Sequence, residues 1–368
     1  MVPSFQACII LALRAGIAIL VPLGTGLSGY AFAAPLDALL TTETHGRTNE
    51  LHLDVGVDAV NDTLDIFNIR DQDPKYAGTN VGDYKGAHLL AGYGLTEQLW
   101  VDAGFWRREI SYRTDTETLN SWQAALQYRF SGSPDSIARY GVRIGAWGNE
   151  AGVLNKSTPT SAFNQSLDSI SVNNPRDRQF QIDLIGSWKI KPEIRLGAFA
   201  GGGISQVDLG SITAGYKGCL YDIRFSSSEV SGTQVGRCGG LLSSRFTAPV
   251  TDDYSQGLAY SGHYVHAGVN LRWQVAKWTL KGGYTLQQLT RENVDDMVTR
   301  QGGTAYTRNN ILEGELSHAW GLHFEGYARA EVMSNQFVGE IPFAYNAFTA
   351  SKFGGKYGLL SLGLRATI

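Results

Sequence analysis

Apolar residues occupy every second position between 180 and 204. Phe180, Ile182, Leu184, Trp188 and Ile190 form one row, and Ile194, Leu196, Ala198, Ala200 and Ile204 form the next. Lys191-Pro192-Glu193 separates the rows, and Gln181, Asp183, Ser187, Lys189, Arg195 and Gly197 occupy intervening positions. Period-two alternation places one row on each face of a strand. The segment is therefore expected to form a hairpin with one apolar face and one polar or small-residue face. The same pattern predicts strands near 50–60, 84–95, 98–112, 118–130, 138–148, 178–190, 193–207, 258–273, 277–290, 310–319, 322–334 and 356–368. Each is near the length that crosses a bilayer at a tilt. The polar, glycine-rich rows could not fill a soluble core, so the apolar rows face outward. The predicted class is all-β: a transmembrane antiparallel up-and-down barrel of about twelve strands.

The connections alternate in length. Thr96-Glu97-Gln98, Lys191-Pro192-Glu193, Val275-Ala276-Lys277 and Ala319-Trp320-Gly321 read as tight turns, and 131–137 is slightly longer. Long polar loops are expected near 61–83, 149–177, 208–257, 291–309 and 335–355, with a short one at 114–117. Short periplasmic turns and long extracellular loops are the outer-membrane arrangement, and an even strand number puts both termini on the turn side. Trp100, Phe130, Tyr140, Trp188, Trp273, Trp278 and Trp320 lie near tight turns, where a headgroup-level aromatic girdle is expected.

The N-terminus changes the picture of what is mature. An apolar run from 9 to 23 ends before Ala31-Phe32-Ala33, which reads as a secretory signal peptide over 1–33. An uncleaved anchor is the alternative. A short periplasmic segment over 34–49 would follow, then the barrel over 50–368. Losing Arg14 leaves 30 basic residues against 34 acids, too near neutrality to argue for nucleic acid. Cys219 and Cys238 remain, both in one long polar segment, and in an exported chain they are expected to form a disulfide. Two free thiols are the alternative, and no metal-ligand spacing accompanies them. No metal or other cofactor is expected.

At the C-terminus Gly358, Leu360, Leu362, Leu364, Ala366 and Ile368 share a face. This resembles the C-terminal signal strand of Gram-negative outer-membrane β-barrel proteins, with Ile368 where that superfamily usually ends in an aromatic residue. The resemblance is one of pattern across the mature chain, with no specific family matched. It implies the bacterial outer membrane as location, with export through the periplasm. It also implies outer-membrane lipid and lipopolysaccharide as surroundings, and recognition of the last strand by the barrel assembly machinery.

The inward rows carry opposed charge. Arg108, Arg129, Arg139, Arg143, Lys189, Arg195, Arg272 and Lys281 are expected to line the lumen on strands three to nine, among few acids. Glu313, Glu315, Glu325, Glu331, Glu50, Asp54 and Asp58 are expected on strands ten to twelve and strand one. A bulge at Arg107-Arg108 would exchange those two. Rings of charge set solute preference in a wet pore. The leading expectation is a narrow, porin-like passive channel for small anionic or zwitterionic solutes, not an enzyme. Pairing of the two arcs would instead close the lumen.

Inward glycines at 141, 145, 197, 201, 203, 268 and 283 would leave room for solute, or else seat bulky groups such as Trp147 and Phe199. The loop carrying Phe337, Phe343, Tyr345, Phe348 and Phe353 either enters the barrel mouth or rests on lipid and neighbouring loops, the second being favoured. A barrel-rim hydrolase acting on lipid or peptide is an alternative function. Ser261 with His263 or His266 would supply its nucleophile and base, and Asp252-Asp253 or Asp295-Asp296 an acidic pair. No catalytic motif appears. A non-conducting structural or adhesion barrel working through its loops is the other alternative.

Overall fold

The computed structural model describes residues 39, 48–60, 81–112, 115–133, 135–157, 160–162, 165–236, 238, 244–250, 258–335, 339–346, 349–350 and 353–368. Twelve strands close into an antiparallel barrel. They are β1 (Leu51–Val60), β2 (Val81–Gly94), β3 (Leu99–Tyr112) and β4 (Asp115–Ser131). Next come β5 (Ala138–Ala151), β6 (Arg176–Lys191), β7 (Ile194–Asp208) and β8 (Tyr260–Val275). The last four are β9 (Trp278–Arg291), β10 (Arg308–Ala319), β11 (Phe324–Met333) and β12 (Tyr357–Thr367). These are the twelve segments that alternation predicts. Closure is made by β1 against β12, from His52↔Thr367 to Ala59↔Leu360. Every barrel strand then has two neighbours, and no edge is left open.

The 180–204 hairpin sets the pattern for the whole wall. Phe180 pairs with Ile204, Leu184 with Ala200 and Trp188 with Leu196, all on the outer face. Asp183 opposite Gly201 and Ser187 opposite Gly197 point inward. Most exposed large apolar residues of the barrel strands lie on this outer face, as a lipid-facing surface requires. On β3 the pairing runs without interruption through Ala87↔Arg107 and Gly86↔Arg108, so no bulge exchanges them. Arg108 is inward and buried, and Arg107 is outward and exposed. Phe130, Tyr140, Trp273, Trp278 and Trp320 stand exposed near the tight turns. Trp100 departs from the expected girdle. It falls on an inward position and is buried, its ring packed over Gly92 across the β2–β3 pair.

Two of the expected long loops are largely sheet. Val153–Lys156 and Ser169–Asn173, between β5 and β6, join four strands between β7 and β8. The six run in the order Arg245–Pro249, Glu229–Gln234, Cys219–Phe225, Ile212–Tyr216, Ser169–Asn173, Val153–Lys156. Their alternation is short and weakly apolar, so at sequence level it looks like loop. The sheet is fastened to β4: the Asn155 N–H donates to Glu117 Oε1, and the Ser157 hydroxyl donates to Asp115 Oδ1 at 2.5 Å. Cys219 and Cys238 form the expected disulfide, with Cα atoms 5.5 Å apart. The 291–309 connection contains the short helix Val294–Arg300. The segment 1–33, most of 34–49, the Asp252-Asp253 pair, Phe337 and Phe348 lie outside the described residues.

Candidate functional site

The lumen is the candidate site, and strand register decides what enters it. Arg108, Arg129, Arg139, Arg143, Lys189, Arg195, Arg272 and Lys281 occupy inward positions of β3 to β9. Asp54, Asp58, Glu313, Glu315, Glu325 and Glu331 occupy inward positions of β1, β10 and β11, and Glu50 directly precedes β1. The two arcs differ in how their charge is met.

The acidic arc is laced by cations. Arg365 donates to Asp54 at 2.8 Å and to Glu325 at 3.2 Å, and forks onto Glu315 at 2.5 and 2.7 Å. Arg329 donates to Glu313 at 2.7 Å. His88 lies 2.9 Å from Asp58 Oδ2, and the Tyr327 hydroxyl donates to Asp54 at 2.8 Å. Arg365 also lies over the Tyr327 ring, 4.0 Å from its centre. Bidentate guanidinium–carboxylate contacts are the strongest of these, and each carboxylate they satisfy would otherwise be costly to bury. Lys281 reaches Glu315 at 3.2 Å, so the two arcs meet at the β9–β10 seam.

The basic arc is different. Arg195 sits directly opposite Arg272, Arg272 opposite Lys281, and Lys189 opposite Arg195. The Arg139 guanidinium feels Arg195, Arg129 and Arg272 as like charges. Asp135 and Glu97, acids that act on Arg139 and Arg129, both lie in turns. Arg143 is held by Asp102 at 2.8 Å, Arg108 by Glu340 at 2.7 Å and Lys281 by Glu315 at 3.2 Å. The tight-turn half of the lumen therefore carries a dense positive field on one wall.

Several lumen glycines seat large groups. A Cβ at 268 would stand 2.4 Å from the Phe199 ring, and one at 203 would stand 2.3 Å from the Tyr264 hydroxyl. Tyr264 lies across β7, donates to Gln181 at 3.2 Å, and stacks at 5.7 Å on His266. His266 in turn meets Asp183 at 2.5 Å, with both side chains fully buried. At these positions the glycines serve packing rather than an open path.

The described part of the β11–β12 connection packs into the long-loop half of the barrel, contrary to the expectation that it rests on lipid or loops. Ile341 and Phe343 are 0% and 1% exposed, and Tyr345 and Phe353 are buried with them. They pack with Trp147, Tyr260, Tyr264, Leu289 and Tyr357 of the wall. Lipid contact loses because this interior offers both apolar surface and hydrogen-bond partners. Burying each large apolar side chain is worth roughly 1.5–3 kcal/mol. Tyr260 donates to the carbonyls of Pro342 and Tyr345 at 2.7 and 3.0 Å. Asn149 donates to the Glu340 carbonyl at 2.9 Å and to Asp177 at 2.9 and 3.0 Å. Arg108 donates to Glu340 Oε1 at 2.7 Å. Arg291 lies 3.9 Å from the centre of the Tyr345 ring and pairs with Asp295 at 2.8 Å.

Sequence reasoning missed Asp177, Arg291, Tyr260 and Glu340. Extending the alternation of β6 by one residue would have found Asp177. Glu340 belongs to no strand and carried no signal. Of the hydrolase candidates, Ser261 and His263 share the exposed outer face of β8, whereas His266 is buried in the lumen.

No protein-family model matches the chain, and no curated protein does. Solved structures of similar architecture are outer-membrane β-barrels. The translocator domain of autotransporter NalP from Neisseria meningitidis is 12% identical at TM-score 0.46, over 89% of this chain and 91% of that one. The CymD monoaromatic hydrocarbon channel is 10% identical at TM-score 0.39, over 93% and 94%. The outer membrane protease OmpT from Escherichia coli is 11% identical at TM-score 0.37, over 89% and 100%.

Proposed function

We propose that this chain is an outer-membrane channel for small anionic solutes, occluded in its resting state by the β11–β12 loop. The observation that carries the reading is the unequal treatment of charge in the lumen. Acids on β1, β10 and β11 are matched by Arg365, Arg329 and Lys281. Lys189, Arg195 and Arg272 of β6 to β8 stand directly beside one another instead. A wall needed only for stability gains nothing from adjacent guanidinium groups. A positive vestibule on the turn side, which we assign to the periplasm, would attract and concentrate anions. The loop supplies the other half of the device, a plug of apolar side chains anchored by Arg108, Asn149 and Tyr260.

The test is the zero-current potential across a planar bilayer separating unequal potassium chloride solutions. Chloride should be favoured. Arg195→Glu combined with Arg272→Glu should move the potential toward potassium, because four units of charge change in a confined lumen. A preference for potassium in the parent chain, or no shift in the double variant, would contradict the reading.

A further inference from the structure

The outer wall carries an apolar groove of about 520 Å³ spanning β9 to β1. Its floor exists because β11 turns Gly326 and Ala328 outward, where neighbouring strands present Leu, Val and Trp. Trp320 roofs one end by lying over Gly326. Register gives the groove a direction. Trp278 pairs with His318, His318 with Gly326, Gly326 with Leu364, and Leu364 with Val55. Trp278 is the first residue of β9 and His318 the last but one of β10. Gly326 is third in β11, Leu364 is fourth from the end of β12, and Val55 is fifth in β1. The row therefore starts at the tight-turn rim and climbs into the hydrocarbon-facing wall.

Chemistry changes along the same line. At the rim His318 packs on Trp278 with ring centres 4.5 Å apart, and Lys277 is exposed in the adjoining turn. Farther up the lining is aliphatic. An amphiphile with an anionic head has this gradient, with its head at the level where tryptophan rings collect.

We propose that the groove binds one glycerophospholipid of the tight-turn leaflet, with an acyl chain along the row and the phosphate beside Lys277 and His318. This site is independent of whether the lumen conducts. It is tested by native mass spectrometry of the full barrel, purified in detergent supplemented with phosphatidylethanolamine and then released from the micelle. One retained phospholipid is expected on the parent chain. It should also be retained by Ala200→Leu, an outward substitution on β7. Ala328→Leu fills the groove and should lose it. Lys277→Glu with His318→Glu leaves the groove's shape and should lower retention by about threefold, the scale of a partly exposed ion pair. Heat-modifiable migration checks folding, and the rim variant decides if Ala328→Leu does not fold. A parent chain without lipid, equal retention by the folded variants, or a dimer mass that Ala328→Leu abolishes would overturn the proposal.

Discussion

Position 268 faces the lumen, and any side chain there meets the Phe199 ring. Gly268→Val is therefore expected to destabilise the barrel by about 1–3 kcal/mol, the usual cost of overpacking. Gly314→Ala, outward with open space at its Cβ, should be nearly neutral. Urea unfolding in lipid vesicles compares the two. The Arg108–Glu340 contact has a different logic. Arg108 is 1% exposed, so Glu340→Gln leaves a buried cation with a weaker partner. A cost of about 1–3 kcal/mol is expected, carried by the loop rather than the wall. Protease cleavage near 335–355 at a lower denaturant concentration than global unfolding would show it. Inward residues such as Arg195 and Glu315 were legible because period two leaves each strand residue only two directions. Trp100 obeys the same rule: its strand parity turns it into the lumen despite its nearness to a turn.

Among elements, the twelve barrel strands were legible from long alternating runs between turn residues. The external sheet was not, since its strands are short and its partners come from two separate connections. The inward fold of the β11–β12 loop was also hidden. Gly339, at φ 84, approaches within Cβ distance of Gln287, and nothing local in the sequence announces that contact. The disulfide closes a loop of 19 residues' separation inside the external sheet. Cys219→Ser with Cys238→Ser should weaken this sheet by about 2–4 kcal/mol in the chain-entropy account. The expected readout is selective proteolysis between 209 and 259 with heat-modifiable barrel migration preserved. Loss of the barrel itself would mean that the sheet is a folding requirement.

At the scale of the whole molecule, the outer face, the lumen and the loop answer three different solvents. The apolar rows meet lipid, the charged rows meet water or one another, and the Ile341–Phe343–Tyr345 segment meets neither. The two arcs are joined at Lys281–Glu315, while Arg195 and Arg272 lie side by side on the basic wall. Charge position was readable from sequence because it follows strand parity. Charge pairing was not, because it depends on which strands closure brings together. A displaceable loop that occludes the lumen should leave it open when removed. Single-channel recording of the parent chain beside a chain lacking residues 339–346 tests it most directly. The parent should be closed for most of the record, and the shortened chain should show steady, chloride-favouring conductance. Silence from a correctly folded shortened chain, or the same steady conductance from both, would contradict the account.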